Sequence, residues 1–241
     1  LHPGLRLVQF VDGDCELSPR WLATAAAFLA DHDDIAVVAG RLRERYPEDS
    51  VYNLLCDIEW NTPVGEARAC GGVAMMRTDA LLEVNSFNSS LIAGEEPELC
   101  VRLRAAGWRI WRLPDEMAWH DAAMTHFRQW WRRMRRSGHA FAQGRALHGS
   151  PPERHYVVET RRAVGWGILL PLVCLAGALA NPAVAWLLLA YPLQMLRLGL
   201  IRSVRREQVP WTQAFFLVIG RLPEGLGVAS YRWSRWRNLT P

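Results

Sequence analysis

The sequence predicts an α/β domain followed by a membrane-associated helical hairpin. Three observations carry that prediction. Short strand-like runs alternate with helical ones over residues 1–113, residues 163–180 carry no charge, and Asp12 and Asp14 flank a single glycine where the first apolar run ends. The alternation implies a mostly parallel sheet with helices packed on it. An uncharged run approaching 20 residues matches a bilayer's hydrocarbon thickness, and carboxylates at the end of a strand lie where open α/β sheets build ligand sites.

The elements follow in order. Residues 5–11 form a hydrophobic strand, and a helix starts with Ser18 as N-cap and Pro19 at its first position. A strand at 35–40 and the stretch 50–60 continue the alternation. Next come a strand at 73–77, a short helix after Thr78, a helix from Pro97 to Ala106 closed by Gly107, and a strand at 108–113. These belong to a first region over residues 1–150. It ends in a helix at 125–147, where Phe127, Trp130, Trp131 and Met134 share one face and arginines occupy the rest, the pattern of a membrane-surface helix.

Residues 151–241 differ in composition. Apolar runs at about 163–180 and 183–201 are joined by Asn181-Pro182; Arg161 and Arg162 precede them, and Arg197, Arg202, Arg205 and Arg206 close them. The positive-inside rule puts both feet of such a hairpin in the cytoplasm and the chain at the inner or plasma membrane. A segment at about 211–236, with Tyr231, Trp233 and Trp236 interleaved with arginines, is expected to be interfacial. A buried helical pair in a soluble domain is the competing reading.

Every basic residue is arginine, and the net charge is +4. The excess hints at an anionic partner, but no nucleic-acid motif accompanies it, so nucleic acid is not an expected partner. Five cysteines form neither a C-x-x-C pair nor a zinc spacing and read as reduced thiols.

Two constellations carry chemistry. Asp12 and Asp14 can share a hard cation, Mn²⁺ or Mg²⁺, that bridges to a diphosphate, although Asp-Gly-Asp is also an ordinary turn. At Gly94-Glu95-Glu96-Pro97-Glu98 a helix opens on acids, which either complement its dipole or, as paired carboxylates, leave one as a usable base.

Taken in order, Val11-Asp12-Gly13-Asp14, Cys70-Gly71-Gly72, Phe87-Asn88-Ser89-Ser90 and Gly94-Glu95-Glu96-Pro97-Glu98-Leu99-Cys100 resemble the catalytic domain of family 2 glycosyltransferases, over about residues 5–145. The resemblance implies a GT-A-like fold with a partial Rossmann-like mixed sheet. It implies that Asp12 and Asp14 bind the metal and Asp12 the sugar-nucleotide diphosphate, that Cys70, Gly71 and Gly72 line the sugar pocket, and that Glu95 or Glu96 is the base. The usual second acid is Asp, so Glu96 departs from the pattern and leaves the choice between the two glutamates open.

The implied function is inverting transfer of a sugar from a nucleotide-sugar donor to a lipid-linked or glycan acceptor at the cytoplasmic membrane face. The alternative is a non-catalytic membrane scaffold or an inactive fragment. A phosphatase of the haloacid dehalogenase kind fits less well, because Glu16 stands where its Thr or Val belongs and lysine is absent. Family members carry a nucleotide-binding half ahead of the first acidic strand, so a missing N-terminal half or a partner chain is expected to supply it. In related enzymes a histidine at the place of His120 can lie near the metal; as a lone feature it is more often a structural histidine. Gln129 to Arg132 hold, in another order, residues of the Gln-x-x-Arg-Trp acceptor motif of processive synthases. That reading makes Trp130, Trp131 and Arg132 acceptor contacts, whereas the interfacial reading makes them membrane contacts.

Overall fold

The computed structural model describes residues 4–237; the outermost positions of the two expected regions, 1 and 241, lie outside them. Two compact units divide between His126 and Phe127.

The first unit is an α/β layer: β1 (Leu7–Phe10), β2 (Cys15–Leu17), α1 (Trp21–Ala30), β3 (Ile35–Glu44), α2 (Val51–Trp60), β4 (Gly65–Ala67), β5 (Ala74–Arg77), α3 (Thr78–Glu83), α4 (Glu95–Ala105) and β6 (Arg109–His120). The sheet order is β1-β5-β3-β6-β2, with β4 also on β6. The expected mostly parallel sheet is corrected: among the described strands only β3 and β6 run parallel, and every other pairing is antiparallel. Strand-helix alternation does not fix direction. β2 and β4 are three residues each, too short for a periodic signal, and they pair with opposite ends of β6. The first half of β3, residues 35–40, reads as an unbroken apolar run because both its faces are covered. Ile35, Val37, Val38, Met76, Leu99 and Ile110 lie at the centre of the core.

Local chemistry explains the helix ends. The Ser50 hydroxyl accepts from Asn53 N at 3.0 Å and caps α2. α4 ends as expected: Gly107 takes φ 96°, and Trp108 N donates to Leu103 O at 3.0 Å, closing a Schellman turn. Ser18, expected to cap α1, does not. Its N–H donates to Met117 O at 2.8 Å and so belongs to the sheet, and its carbonyl accepts from Trp21 N at 3.0 Å across a turn. The helix therefore starts only at Trp21.

β6 carries a proline at its middle, Pro114, which has no N–H for a ladder. Pairing slips there: Ala39 faces Arg112 but Arg41 faces Glu116, so β6 bulges by two residues. Gly40 sits under the bulge, and a β-carbon on it would lie 2.7 Å from Asp115 O, Met117 Cβ and Trp21 Cζ3.

The second unit is helical: α5 (Phe127–His148), α6 (Val157–Val164), a π-helical turn (Gly165–Leu169), α7 (Leu170–Ala180), a 3₁₀ stretch (Pro182–Leu189), α8 (Ala190–Val204), α9 (Pro210–Ile219) and α10 (Arg221–Trp236). α5 packs on α10 so closely that β-carbons on Gly138 and Gly227 would each meet the facing backbone at 2.0 Å. Trp130, central to its apolar stripe, is 4% exposed and sits edge-on to Phe216 at 5.0 Å, whereas Phe127 of the same stripe is 45% exposed, so protein contacts take one part of the stripe and leave another open.

The continuous helices Val157–Ala180 and Pro182–Val204, of 24 and 23 residues, are long and apolar enough to cross a membrane. Asn181 separates them, its side chain accepting from Ala183 N at 3.0 Å. Few of their side chains are covered; Leu179 and Val204 are 86% and 84% exposed, which does not match the buried helical pair of a soluble core.

Because Gly40 has no space for a side chain, Gly40→Ala should destabilise the first unit by about 1–3 kcal/mol through overpacking against the bulge. A lowered urea midpoint for loss of its β-structure signal would register the effect; an unchanged midpoint would show that the bulge yields freely.

Candidate functional site

The turn after β1 places the two aspartates. Cys15 N donates to Asp12 O at 3.0 Å, closing Asp12-Gly13-Asp14-Cys15 into a turn at the sheet's edge. Extending the β1–β5 register, in which Phe10 faces Ala74, sets Asp12 opposite Gly72. The contact is close: a β-carbon on Gly72 would lie 2.6 and 2.8 Å from the two Asp12 carboxylate oxygens. Gly72, expected to line a sugar pocket, thus borders the first aspartate.

β2 brings the histidine. Its pairing with β6 sets Cys15 opposite His120, and Asp121 N donates to Asp14 O at 3.0 Å. His120 Nε2 lies 3.4 Å from Asp14 Oδ1, its ring rests against Trp60 at 4.7 Å, and its Nδ1 is buried with no hydrogen-bond partner among the described residues. Ligand atoms of Asp12, Asp14, Cys15 and His120 all lie within 4.8 Å of one another. Cys15 and Trp60 were not anticipated from sequence. Cys15 directly follows Asp14, but a lone cysteine at a strand start carries no signal of its own, and Trp60 comes from the far end of α2.

This donor set fits a hard divalent cation. Two exposed carboxylates and an imidazole nitrogen suit Mn²⁺ or Mg²⁺. The Cys15 thiol beside them is a soft donor, less suited to a hard cation than the carboxylates; burial first, then the charges of Asp12 and Asp14, push it up to about 12.

The acidic helix start lies at the other end of the glycine-containing segment. Gly94 takes φ 81° ahead of α4, and Glu95, Glu96 and Glu98 occupy the first turn. Their roles separate by burial. Glu98 is 2% exposed and is held by Arg102, with Nε to Oε1 at 3.0 Å and Nη2 to Oε2 at 2.8 Å, so it is structural. Glu95 and Glu96 are half-buried. Cys70 Sγ lies 3.7 Å from Cys100 Sγ; that contact, burial and the charge of Glu96 hold the Cys70 thiol well above its ordinary range. The three residues Cys70-Gly71-Gly72 therefore border the Cys100 and Glu96 neighbourhood at one end and Asp12 at the other.

Trp130, Trp131 and Arg132 belong to the helical unit. Trp130 is not open to a ligand, because its ring is buried against Phe216.

No family model and no curated protein matches the chain. Among solved structures it is similar to the mannosyltransferase PcManGT from Pyrobaculum calidifontis in complex with GDP-mannose and Mn²⁺, with a TM-score of 0.59 and 18% identity over 95% of this chain. The fold is that of a glycosyltransferase. The chain spans 63% of the length of that mannosyltransferase. Residues 1–349 of S. aureus TarS also match, with a TM-score of 0.42 and 15% identity over 95% of this chain and 67% of that one.

Since Gly72 borders the Asp12 carboxylate, Gly72→Ala should force that side chain to swing and weaken Mn²⁺ binding by about tenfold or more. Calorimetric titration with Mn²⁺ measures this; equal affinities would remove Gly72 from any part in positioning Asp12.

Proposed function

We propose that this chain is the catalytic part of an inverting family 2 glycosyltransferase that moves a sugar from a nucleotide donor to a lipid-linked or glycan acceptor at the cytoplasmic membrane face. One observation carries the proposal. The glycine-containing segment abuts Asp12 through Gly72 and neighbours Glu96 through Cys70, so a diphosphate-binding cluster and an acidic helix start share one strand of backbone. The binding of GDP-mannose and Mn²⁺ by the similar mannosyltransferase supports a nucleotide-sugar donor and a divalent cation.

Asp12 and Asp14, with His120 beside them, would hold the cation, which supplies positive charge against the departing diphosphate. Glu96, or Glu95, accepts the proton of the acceptor hydroxyl. As it does so, the acceptor oxygen bonds to the anomeric carbon from the face opposite the nucleotide, and the bond from that carbon to the diphosphate oxygen breaks. The sugar inverts, the nucleoside diphosphate leaves with the bonding electrons, and the proton rests on the carboxylate. Gly71 and Gly72 keep side chains out of the space beside Asp12 that the sugar needs. In this reading the base-binding half comes from preceding sequence or a partner chain.

The helices Val157–Ala180 and Pro182–Val204 form the membrane hairpin of this reading. Their exposed apolar surface and the arginines at both feet, Arg161 and Arg162 before them and Arg202, Arg205 and Arg206 at the end, support cytoplasmic feet with Asn181 on the far side.

Asp14→Asn removes charge from the cation site without changing shape, so Mn²⁺-dependent binding of UDP or GDP should be lost while the circular dichroism spectrum is kept. Unchanged Mn²⁺-dependent affinity in the variant would reject the metal assignment.

Removing the base strikes chemistry and spares binding. Glu96→Gln should lower single-turnover sugar transfer by about 10²-fold or more with donor affinity retained, and Glu95→Gln should do less. The reverse order would exchange the two roles. A wild-type chain that binds donor but shows no turnover with any acceptor would establish the non-catalytic scaffold instead.

A further inference from the structure

The helical unit carries an open cavity of about 400 Å³, within the size range of small-molecule sites. Its walls come from three elements: Arg145 from α5, Thr160 from α6, and Tyr231, Arg232, Arg235 and Trp236 from α10. The floor is already satisfied, since the Thr160 hydroxyl lies 2.7 Å from Tyr156 O and 3.0 Å from Phe141 O. The walls are not. Among the described residues, the side chains of Arg145, Arg232 and Arg235 have no ion pair or hydrogen bond, and the Tyr231 hydroxyl has no hydrogen-bond partner.

Among the described residues, no acid lines the cavity. α5 holds six arginines and no Asp or Glu. The only acid of α10, Glu224, is bound by Arg221 at 2.7 Å, and Glu159 of α6 does not line the cavity. Three arginines line one concavity, so the field there is positive and favours an anion. Their forked N–H groups match the oxygens of a phosphate better than any other common biological anion except a carboxylate, and three of them suit a group with more than two oxygens.

The source of that phosphate follows from what surrounds the opening. Trp236 and its neighbour Trp233 are 75% and 57% exposed, and the Arg237 guanidinium lies 5.7 Å over the Trp233 ring. Exposed tryptophans interleaved with arginines are the composition of a membrane headgroup layer. α6, which supplies the floor, runs without a break into α7 as the helix Val157–Ala180, and Arg161 and Arg162 lie in its first turns. In the hairpin reading, that end of the helix lies at headgroup depth.

We propose that this cavity binds the phosphate of an anionic membrane lipid, with Arg145, Arg232 and Arg235 on its oxygens, Tyr231 donating from the wall and Trp236 against the glycerol. The lipid source rests on the hairpin reading; recognition of phosphate does not.

The full chain in uncharged detergent micelles is titrated calorimetrically with dioctanoyl phosphatidic acid, dioctanoyl phosphatidylcholine and inorganic phosphate. Saturable binding of phosphatidic acid is expected, about tenfold or more tighter than either of the others. Replacing the three cavity arginines together (Arg145→Gln, Arg232→Gln, Arg235→Gln) should weaken it by about tenfold or more. The same loss of charge elsewhere (Arg128→Gln, Arg135→Gln, Arg205→Gln) should leave it unchanged. Ala146→Phe, which fills the cavity and keeps every arginine, should abolish it. Equal weakening by the two triple variants would overturn the site in favour of diffuse charge, and equal affinity for inorganic phosphate would overturn the lipid assignment. Alkaline extraction of membranes tests the hairpin separately: a chain released as soluble that still binds phosphatidic acid through the three arginines would reject the hairpin and uphold the phosphate site.

Discussion

The placement of the candidate site depends on one strand being paired at both its ends. β6 bonds to β3 on one edge and to β4 near its start and β2 at its end on the other, so residues 110–112 and 118–120 are fixed from both sides. A backbone left unpaired inside a sheet carries the full cost of unmet N–H and C=O groups. The bulge at Pro114 is where the second edge changes partner, and Gly40 is what lets the neighbouring strand pass beneath it. A slip of one residue in β2–β6 would turn His120 to the opposite face of the sheet from Asp14. The cluster is therefore held by register, with only weak contact between its own side chains.

A chain without lysine uses guanidinium groups as structural connectors. Arg77 at the end of β5 donates from Nε to Ile35 O at 2.8 Å and from Nη2 to His32 O at 3.0 Å, and also bonds to Leu29 O, so one planar fork ties the exit of α1 to the sheet. Arg41, nearly buried, pairs with Asp57 at 2.7 Å, and Asp57 also accepts from Glu44 N at 3.0 Å. An ammonium group, a compact point charge without the planar fork, would not span acceptors so far apart. The pairs of Arg109 with Asp34 and Glu66 are far more exposed and contribute about 0–1 kcal/mol each. Beside Arg41, burial and the neighbouring positive charge lower the Arg112 pKa, which marks the inner β3–β6 seam as a place where the fold tolerates electrostatic cost.

What could be read from sequence was what local chemistry decides. The acidic pair after an apolar strand, the Gly107 stop and the two long apolar runs each follow from neighbours a few residues apart. Strand direction could not be read, because β2 and β4 are only three residues long and take their partners from about a hundred and about fifty residues away. Ser18 was misplaced for the same reason: its sequence neighbours favour a cap, while Met117 O, distant in sequence, claims its N–H. The stripe containing Trp130 showed the right period but not its partner, since a membrane surface and a neighbouring helix ask for the same pattern. At the site, Asp12, Asp14 and His120 were legible as chemistry, whereas Cys15 and Trp60 became visible only through pairing and packing.

The contact between Gly138 and Gly227 has a consequence beyond packing. Each glycine lies on a helix that also supplies cavity arginines, and Gly138 precedes Arg145 by two helical turns on the same face. With the two backbones touching at that point, α5 and α10 cannot come closer and resist sliding past one another. The walls around the arginines are consequently set before anything enters. Ligand capture then needs no opening step, its association rate is governed by encounter and charge, and discrimination between ligands falls on how fast each one leaves.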